Sequence, residues 1–248
     1  MVRWLHFDDS FVPFFILILF FMKLCAISDL HGNLSCDVKK SDILCICGDT
    51  VPLKIQNYHK PSAKWFKENF LSWAEDQPVK EIYLIGGNHD FFIANHSDEL
   101  REILKGTNVH YLEDESIKYK DDNGNEYLIY GTPWCHQFGH WAFMDYTDDE
   151  LANIFFKMPN DVDILLTHDA PYGVSDICQQ DIFWNEHIHI GNHALTYVVG
   201  KTKPKLLLHG HLHTSNHSKE MLDDTPVYNV SLLDENYDMV FKPLYLEI

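Results

Sequence analysis

From Lys23 onward the sequence repeats one device five times: a short, β-branched-rich apolar run that stops abruptly in a polar cluster. The runs are Leu24–Ile27 before SDLHGN, Ile43–Cys47 before GDT, Ile82–Ile85 before GGNHD, Ile164–Leu166 before THDAP, and Leu206–Leu208 before HGHLH. Runs apolar at every position read as strands covered on both faces, the pattern of a parallel sheet. Glycine adjoins four of the five clusters, as a tight turn beside a ligand requires. In open α/β sheets ligands bind outside the carboxyl ends of the strands, so clusters far apart in sequence converge on one site.

The connecting segments support this reading. Ser62–Trp73, Asp98–Leu104, Asp148–Phe156 (with Asp148 or Asp149 as cap) and Gly191–Val199 have helical spacing. Ser116–Gly131 reads as a hairpin around Asp122–Asn125, and a second antiparallel pair is expected from Val227–Val230 with Met239–Ile248. With no repeat or linker, one α/β domain with mixed sheets is expected over residues 23–248.

The polar side chains at the strand ends are Asp29, His31, Asp49, Asn88, His89, His168, His211 and His213. Carboxylate, amide and imidazole without thiolate suit borderline divalent ions: Mn, Fe, Co, Ni or Zn. In Asp29-x-His31 and His211-x-His213 the spacing sends both side chains to one side of an extended segment. The remaining histidines that could line a pocket, His136, His140, His187, His189, His193 and His209, are expected to be structural or exposed.

Taken together, DLH, GD, GNHD, TH and GHLH, in this order, resemble the five signature motifs of the calcineurin-like metallophosphoesterase superfamily, over about residues 23–248. YGTPW, PNDVDILLTHDAPYG, PKLLLHGHLH and VYNVS are similar to the narrower metallophosphoesterase-domain-containing group of small phosphodiesterases. The resemblance implies two mixed β-sheets packed as a sandwich and flanked by helices. It also implies two divalent metal ions, manganese favoured: one held by Asp29, His31, Asp49 and His213, the other by Asp49, Asn88, His168 and His211. Asp49 would bridge them, a bridging hydroxide would be the nucleophile, and His89 the general acid. Asp90 is expected to orient His89, Asp169 to orient His168, and Trp134 to form a wall of the substrate pocket.

Substrate class follows from what is scarce. Protein phosphatases of this superfamily carry GDxxDRG, whose arginine grips a dianionic monoester. Here the segment is Gly48-Asp49-Thr50-Val51-Pro52, and the only arginines are Arg3 and Arg101. Without a guanidinium fork, a monoanionic diester is the better substrate. A formal charge of −18 disfavours long nucleic acid. The expectation is a phosphodiesterase for small cyclic or nucleotide-type diesters. Its rivals are a phosphomonoesterase or nuclease on the same scaffold, or a metal-binding scaffold without turnover.

Phe11–Met22 is a twelve-residue apolar run, short of the about 20 residues that span a bilayer. Asp8 and Asp9 stand where a secretory signal would be basic. Residues 1–22 are therefore expected to be an apolar extension, either a weak anchor or upstream sequence preceding a start at Met22. Six cysteines in a chain of this length read as reduced, mostly buried thiols, which points to the cytoplasm.

Overall fold

The computed structural model describes residues 21–144, 146–179, 187–214 and 217–248. Strands β1 (Lys23–Ile27), β2 (Ile43–Cys47), β3 (Glu81–Ile85) and β4 (Val109–Tyr111) pair in parallel, in register Leu24 to Ile43 and Ile43 to Glu81. β2 is buried at every position, so hydrogen bonding and apolar packing both hold it at the sheet centre.

The second sheet is built from β5 (Glu115–Lys120), β6 (Glu126–Thr132), β7 (Ile164–Thr167), β10 (Leu207–His209), β11 (Glu220–Leu222) and β12 (Thr225–Asn229), in the order β11-β12-β10-β7-β6-β5. Its inner four strands are parallel, and each edge strand runs antiparallel to its neighbour. β8 (Ile177–Gln179) and β9 (His187–His189) form a separate ribbon.

The two-residue period of a strand sorts side chains into layers. Leu24, Ala26, Ile43, Cys45, Cys47, Tyr83 and Ile85 face Ile129, Ile164, Leu166 and Leu208 between the sheets. The alternate residues Cys25, Ile27, Leu44, Ile46, Ile82 and Leu84 pack on Phe66, Phe70 and Phe92 of the outer helices. Those helices are α1 (His59–Trp65), a π-helical stretch (Phe66–Phe70), α2 (Leu71–Glu75), α3 (Phe91–Asn95) and α4 (Ser97–Leu104). On the far face of the second sheet, α5 (Asp148–Phe155) and α6 (His193–Thr202) bury Leu151, Phe155, Leu195 and Val198 against Tyr130, Leu165 and Leu207. The result is the α/β sandwich of two mixed sheets that the sequence leads one to expect.

Local details differ from expectation. The C-terminal strand β13 (Leu244–Glu247) does not pair with the Val227 segment. It lies antiparallel on β1, Lys23 opposite Glu247, while β12 pairs instead with β11. β13 alternates half-buried and exposed residues, which suits a sheet edge where Leu244 and Leu246 reach the inter-sheet core. The cap of α5 is Thr147, not Asp148 or Asp149: its hydroxyl accepts from Glu150 N–H, and Glu150 returns the bond in a capping box.

Met22 is buried and its N–H donates to the Ile248 carbonyl at 2.9 Å, whereas residues 1–20 of the expected extension lie outside the described residues. Among the described residues, no helix is long and apolar enough to cross a membrane. None of the six cysteines forms a disulfide.

Candidate metal centre

Because β1, β2 and β3 are parallel, their carboxyl ends share one edge, and those of β7 and β10 meet it from the second sheet. The loops that follow turn sharply. Asp29, His31, Asp49 and His211 all adopt left-handed backbone, with φ of 55°, 41°, 51° and 69°. Non-glycine residues avoid that region, and clusters of such outliers mark sites where the surrounding fold imposes the geometry. Gly48, at φ +98°, lets the second loop pass: a Cβ there would lie 2.5 Å from His168 Nδ1.

Two carboxylates anchor the cluster. Asp29 is fully buried and accepts the His211 N–H (3.0 Å) and the Ser231 hydroxyl (2.6 Å), with His213 Nε2 at 3.3 Å. Asp49 accepts the His89 N–H at 2.7 Å through Oδ1. Its Oδ2 stands between His168 Nε2 at 3.4 Å and His31 Nε2 at 3.6 Å. Asn88 Oδ1 lies 2.9 Å from His168 Nε2.

Backbone carbonyls set two imidazole tautomers. His168 Nδ1 is 2.7 Å from the Cys47 carbonyl and His213 Nδ1 is 2.9 Å from that of Asp234. A carbonyl only accepts, so each Nδ1 carries hydrogen and each Nε2 is turned toward the carboxylates, as in metal-ligating histidines.

Ligand atoms of Asp29, His31 and His213 lie within 4.8 Å of one another, and so do those of Asp29, Asp49 and His168. The best test of fit is His31, whose buried Nδ1 and Nε2 both lack a hydrogen-bond partner. A neutral imidazole keeps one nitrogen lone pair, and leaving it unpaired beside two buried carboxylates is costly unless a positive ion completes it. The donor set thus fits divalent ions.

Electrostatics agree. Burial pushes His31 and His211 down to about 4, keeping both neutral and able to ligate. Burial also disfavours charge on His168 and His213, but Asp49 outweighs it at His168, and the hydrogen bond to Asp29 does so at His213. They rise to about 10 and about 9. Protons on these two rings balance the Asp49 and Asp29 carboxylates, so a divalent ion would have to displace them.

The family model for calcineurin-like phosphoesterases matches residues 22–215. The chain belongs to that family. Calcineurin-like phosphoesterases use a dinuclear metal centre to hydrolyse phosphoesters. This one is 26% identical over 255 residues to UPF0046 protein T07D4.2 of Caenorhabditis elegans, covering 92% of this chain and 60% of that protein. With human metallophosphoesterase domain-containing protein 1 it shares 24% identity over 253 residues, covering 92% of this chain and 71% of the relative. Its fold is similar to phosphopantetheinyl hydrolase from Mycobacterium tuberculosis, with a TM-score of 0.54 at 13% identity, covering 87% and 90% of the two chains.

Beside the candidate metal ligands of this calcineurin-like phosphoesterase, His89 points Nε2 toward Asp49 Oδ2 at 4.0 Å. Its orienting partner is not Asp90. His89 Nδ1 pairs with Gln56 Oε1 at 2.6 Å, and the fully buried Asp90 carboxylate instead accepts the N–H groups of Thr50, Val51 and Gly87 at 3.0–3.2 Å. Burial and the nearby Asp49 charge raise Asp90 to about 7 despite these bonds. It fixes the two loops that carry Asp49 and Asn88. Asp169 likewise does not meet His168: it accepts His136 N–H and Nδ1 at 2.9 and 2.7 Å.

Trp134 is not a pocket wall. Its indole N–H donates to Asp114 at 2.7 Å and its ring packs on Phe143 and Tyr146. The open cleft over the centre, about 420 Å³, is walled instead by Phe138, Trp141 and Tyr237. Trp141 lies 4.7 Å from the His89 ring and Tyr237 5.0 Å from His31.

Of the other histidines, His136 and His189 pair with Asp169 and Asp176, His193 stacks on Tyr172, His140 is exposed, and His209 is buried. The side chain of His187 lies outside the described residues.

Proposed function

We propose that this protein is a phosphodiesterase acting on small cyclic or nucleotide-type diesters. The supporting observation is the cleft: aromatic faces of Phe138, Trp141 and Tyr237 stand over the centre, and no lysine or arginine lines it among the described residues. Arg101, the one described arginine, is engaged elsewhere by Glu115 and the Tyr111 carbonyl. A dianionic monoester would lack its usual clamp, while a diester brings one negative charge and a ring that stacks on aromatics.

Two divalent ions held by Asp29, His31, Asp49, Asn88, His168, His211 and His213 would neutralise the phosphoryl oxygens and supply an activated water. The protein does the rest. The His89 and His211 N–H groups fix the two carboxylates, so the donors need little rearrangement. His89, with Nδ1–H donated to Gln56, presents Nε2–H to the cleft and protonates the leaving oxygen. Trp141 stands beside that imidazole, with 4.7 Å between the ring centroids.

Manganese is the proposed metal, since carboxylate, amide and imidazole donors without thiolate suit it. The partner is a small diester rather than long nucleic acid, given the −18 charge. Six cysteines without a disulfide support work in the reducing cytoplasm. Chelated protein reloaded with Mn²⁺ and offered a cyclic nucleoside monophosphate beside the matching open monoester tests the reading. Turnover of the cyclic diester alone is expected; turnover of the monoester alone would overturn it.

A further inference from the structure

Tyr237 walls the cleft over the centre, and it also borders a second, smaller cavity of about 230 Å³. Leu30, Pro52, Leu53 and Leu233 give that cavity apolar walls, and it reaches the candidate ligand His31. The Tyr237 ring lies 5.0 Å from that of His31 and 5.4 Å from that of His213, so the two spaces adjoin at the centre. Lys54 lines the smaller cavity and is the one lysine or arginine on either of them among the described residues.

Backbone geometry fixes both sides of this space. Leu53 and Lys54 are the central residues of a turn closed by Ile55 N–H on the Pro52 carbonyl at 3.0 Å. Gly32, at φ +83°, packs on that turn, where a Cβ would come within 2.4 Å of the Pro52 ring. Opposite, Leu232 N–H donates to the Ser28 carbonyl at 3.1 Å, and Tyr237 N–H to the Asp234 carbonyl at 2.9 Å. Lys54 is exposed, and its ammonium has no ion pair or hydrogen bond among the described residues. A lysine on a convex surface needs no explanation. Beside an apolar cavity that opens on the centre, its stem can lie along the leucines while its charge stays available to whatever fills the space.

We propose that this cavity receives the second arm of an open phosphodiester, with Lys54 binding an anionic group, carboxylate or phosphate, on that arm. The assignment rests on the diester reading and extends it. A phosphorus at the centre carries two ester arms that diverge tetrahedrally. The cleft with Phe138, Trp141 and Tyr237 takes an aromatic arm, and the cavity takes the other. A cyclic diester closes both ester oxygens onto one sugar and leaves the cavity unused, whereas an open diester fills it. Lysine suits this task because its ammonium is a point charge, free of the bidentate geometry that a guanidinium imposes. In a chain of net charge −18, such a cation also offsets the repulsion of a second negative charge near the centre.

The test uses p-nitrophenyl phosphodiesters whose second arm is ethyl, carboxyethyl, phosphonoethyl or choline. Full-length wild type, Lys54→Gln and Lys54→Glu, each reloaded with Mn²⁺, are compared by KM. Within each protein the ethyl ester is the reference, so losses of fold or metal cancel from the ratio. Wild type should show a KM about two- to fivefold lower for the carboxyethyl ester than for the ethyl ester, the yield of one exposed charge pair, and high salt should erase the gap. A larger gain with the phosphonoethyl arm identifies phosphate as the bound group, and a smaller one identifies carboxylate. Lys54→Gln should lose the preference, and Lys54→Glu should reverse it in favour of the choline arm. An unchanged ratio in both variants overturns the cavity assignment and leaves the diester reading standing. No turnover of any of these diesters by wild type overturns the diester reading and the assignment with it.

Discussion

His89 and Gln56 are joined through Nδ1 and Oε1 at 2.6 Å across 33 residues of sequence. The amide oxygen holds the imidazole with Nε2 toward the cleft. His89→Ala should therefore lower kcat by about 10²–10⁴-fold, the range for a general acid, with metal content unchanged. Gln56→Ala leaves the imidazole in place but unoriented. Its loss should be smaller, about tenfold, the lower end of the range for removing a partner that orients a functional imidazole, and metal content should again be unchanged. Equal rates for His89→Ala and wild type would remove His89 from the mechanism.

Asp90 serves the backbone. Its carboxylate holds Thr50, Val51 and Gly87, and an amide at this position turns a donor toward N–H groups. Asp90→Asn should cost about 1–3 kcal/mol for each buried N–H left without an acceptor. Melting of the metal-free protein should fall, and metal loading should weaken with it. An Asp90→Asn variant with wild-type melting but the kinetics of His89→Ala would restore the discarded pairing.

The two tryptophans separate by location. Trp141→Ala should raise KM for a nucleotide-type diester by about 5–150-fold, the range for loss of one base stack, while leaving melting nearly unchanged. Trp134→Ala should act the other way, lowering stability through its contacts with Phe143, Tyr146 and Asp114. A Michaelis analysis beside a melting curve for each variant decides it, and swapped phenotypes would contradict the cleft described above.

Metal loading should depend on pH. With His168 raised to about 10 and His213 to about 9, each ion must displace a proton to bind. Apparent affinity should fall about tenfold per ion for each unit from pH 8 to 6, as read by Mn²⁺ titration. The ion-free fold shows the opposite trend. Both folded values lie above the ordinary 6.5, so these pairs stabilise it fully below that pH and lose the contribution as pH rises through about 9 to 10. Binding that does not change with pH would show that the rings are already neutral.

The strands were legible because burial on both faces leaves a local mark: β2 is buried at every position and apolar throughout. The ligands were legible because a parallel sheet places their loops at one edge. Partners chosen by three-dimensional neighbours left no such mark. Gln56 lies in a loop with no periodicity, and Trp141 follows Gly139 in a long connection of irregular backbone. Asp90 and Asp169 were misread for one reason. Sequence adjacency to His89 and His168 suggested contact, whereas backbone geometry sends neighbouring side chains apart. β13 found the free edge of β1 because pairing between chain ends is invisible to local pattern.

The most direct measurement is hydrolysis of bis-p-nitrophenyl phosphate against p-nitrophenyl phosphate, using chelated protein reloaded with Mn²⁺. A cleft without a guanidinium, over two ions, predicts a higher kcat/KM for the diester, abolished by Asp49→Asn. A higher kcat/KM for the monoester, or no turnover of either with both ions bound, would contradict it.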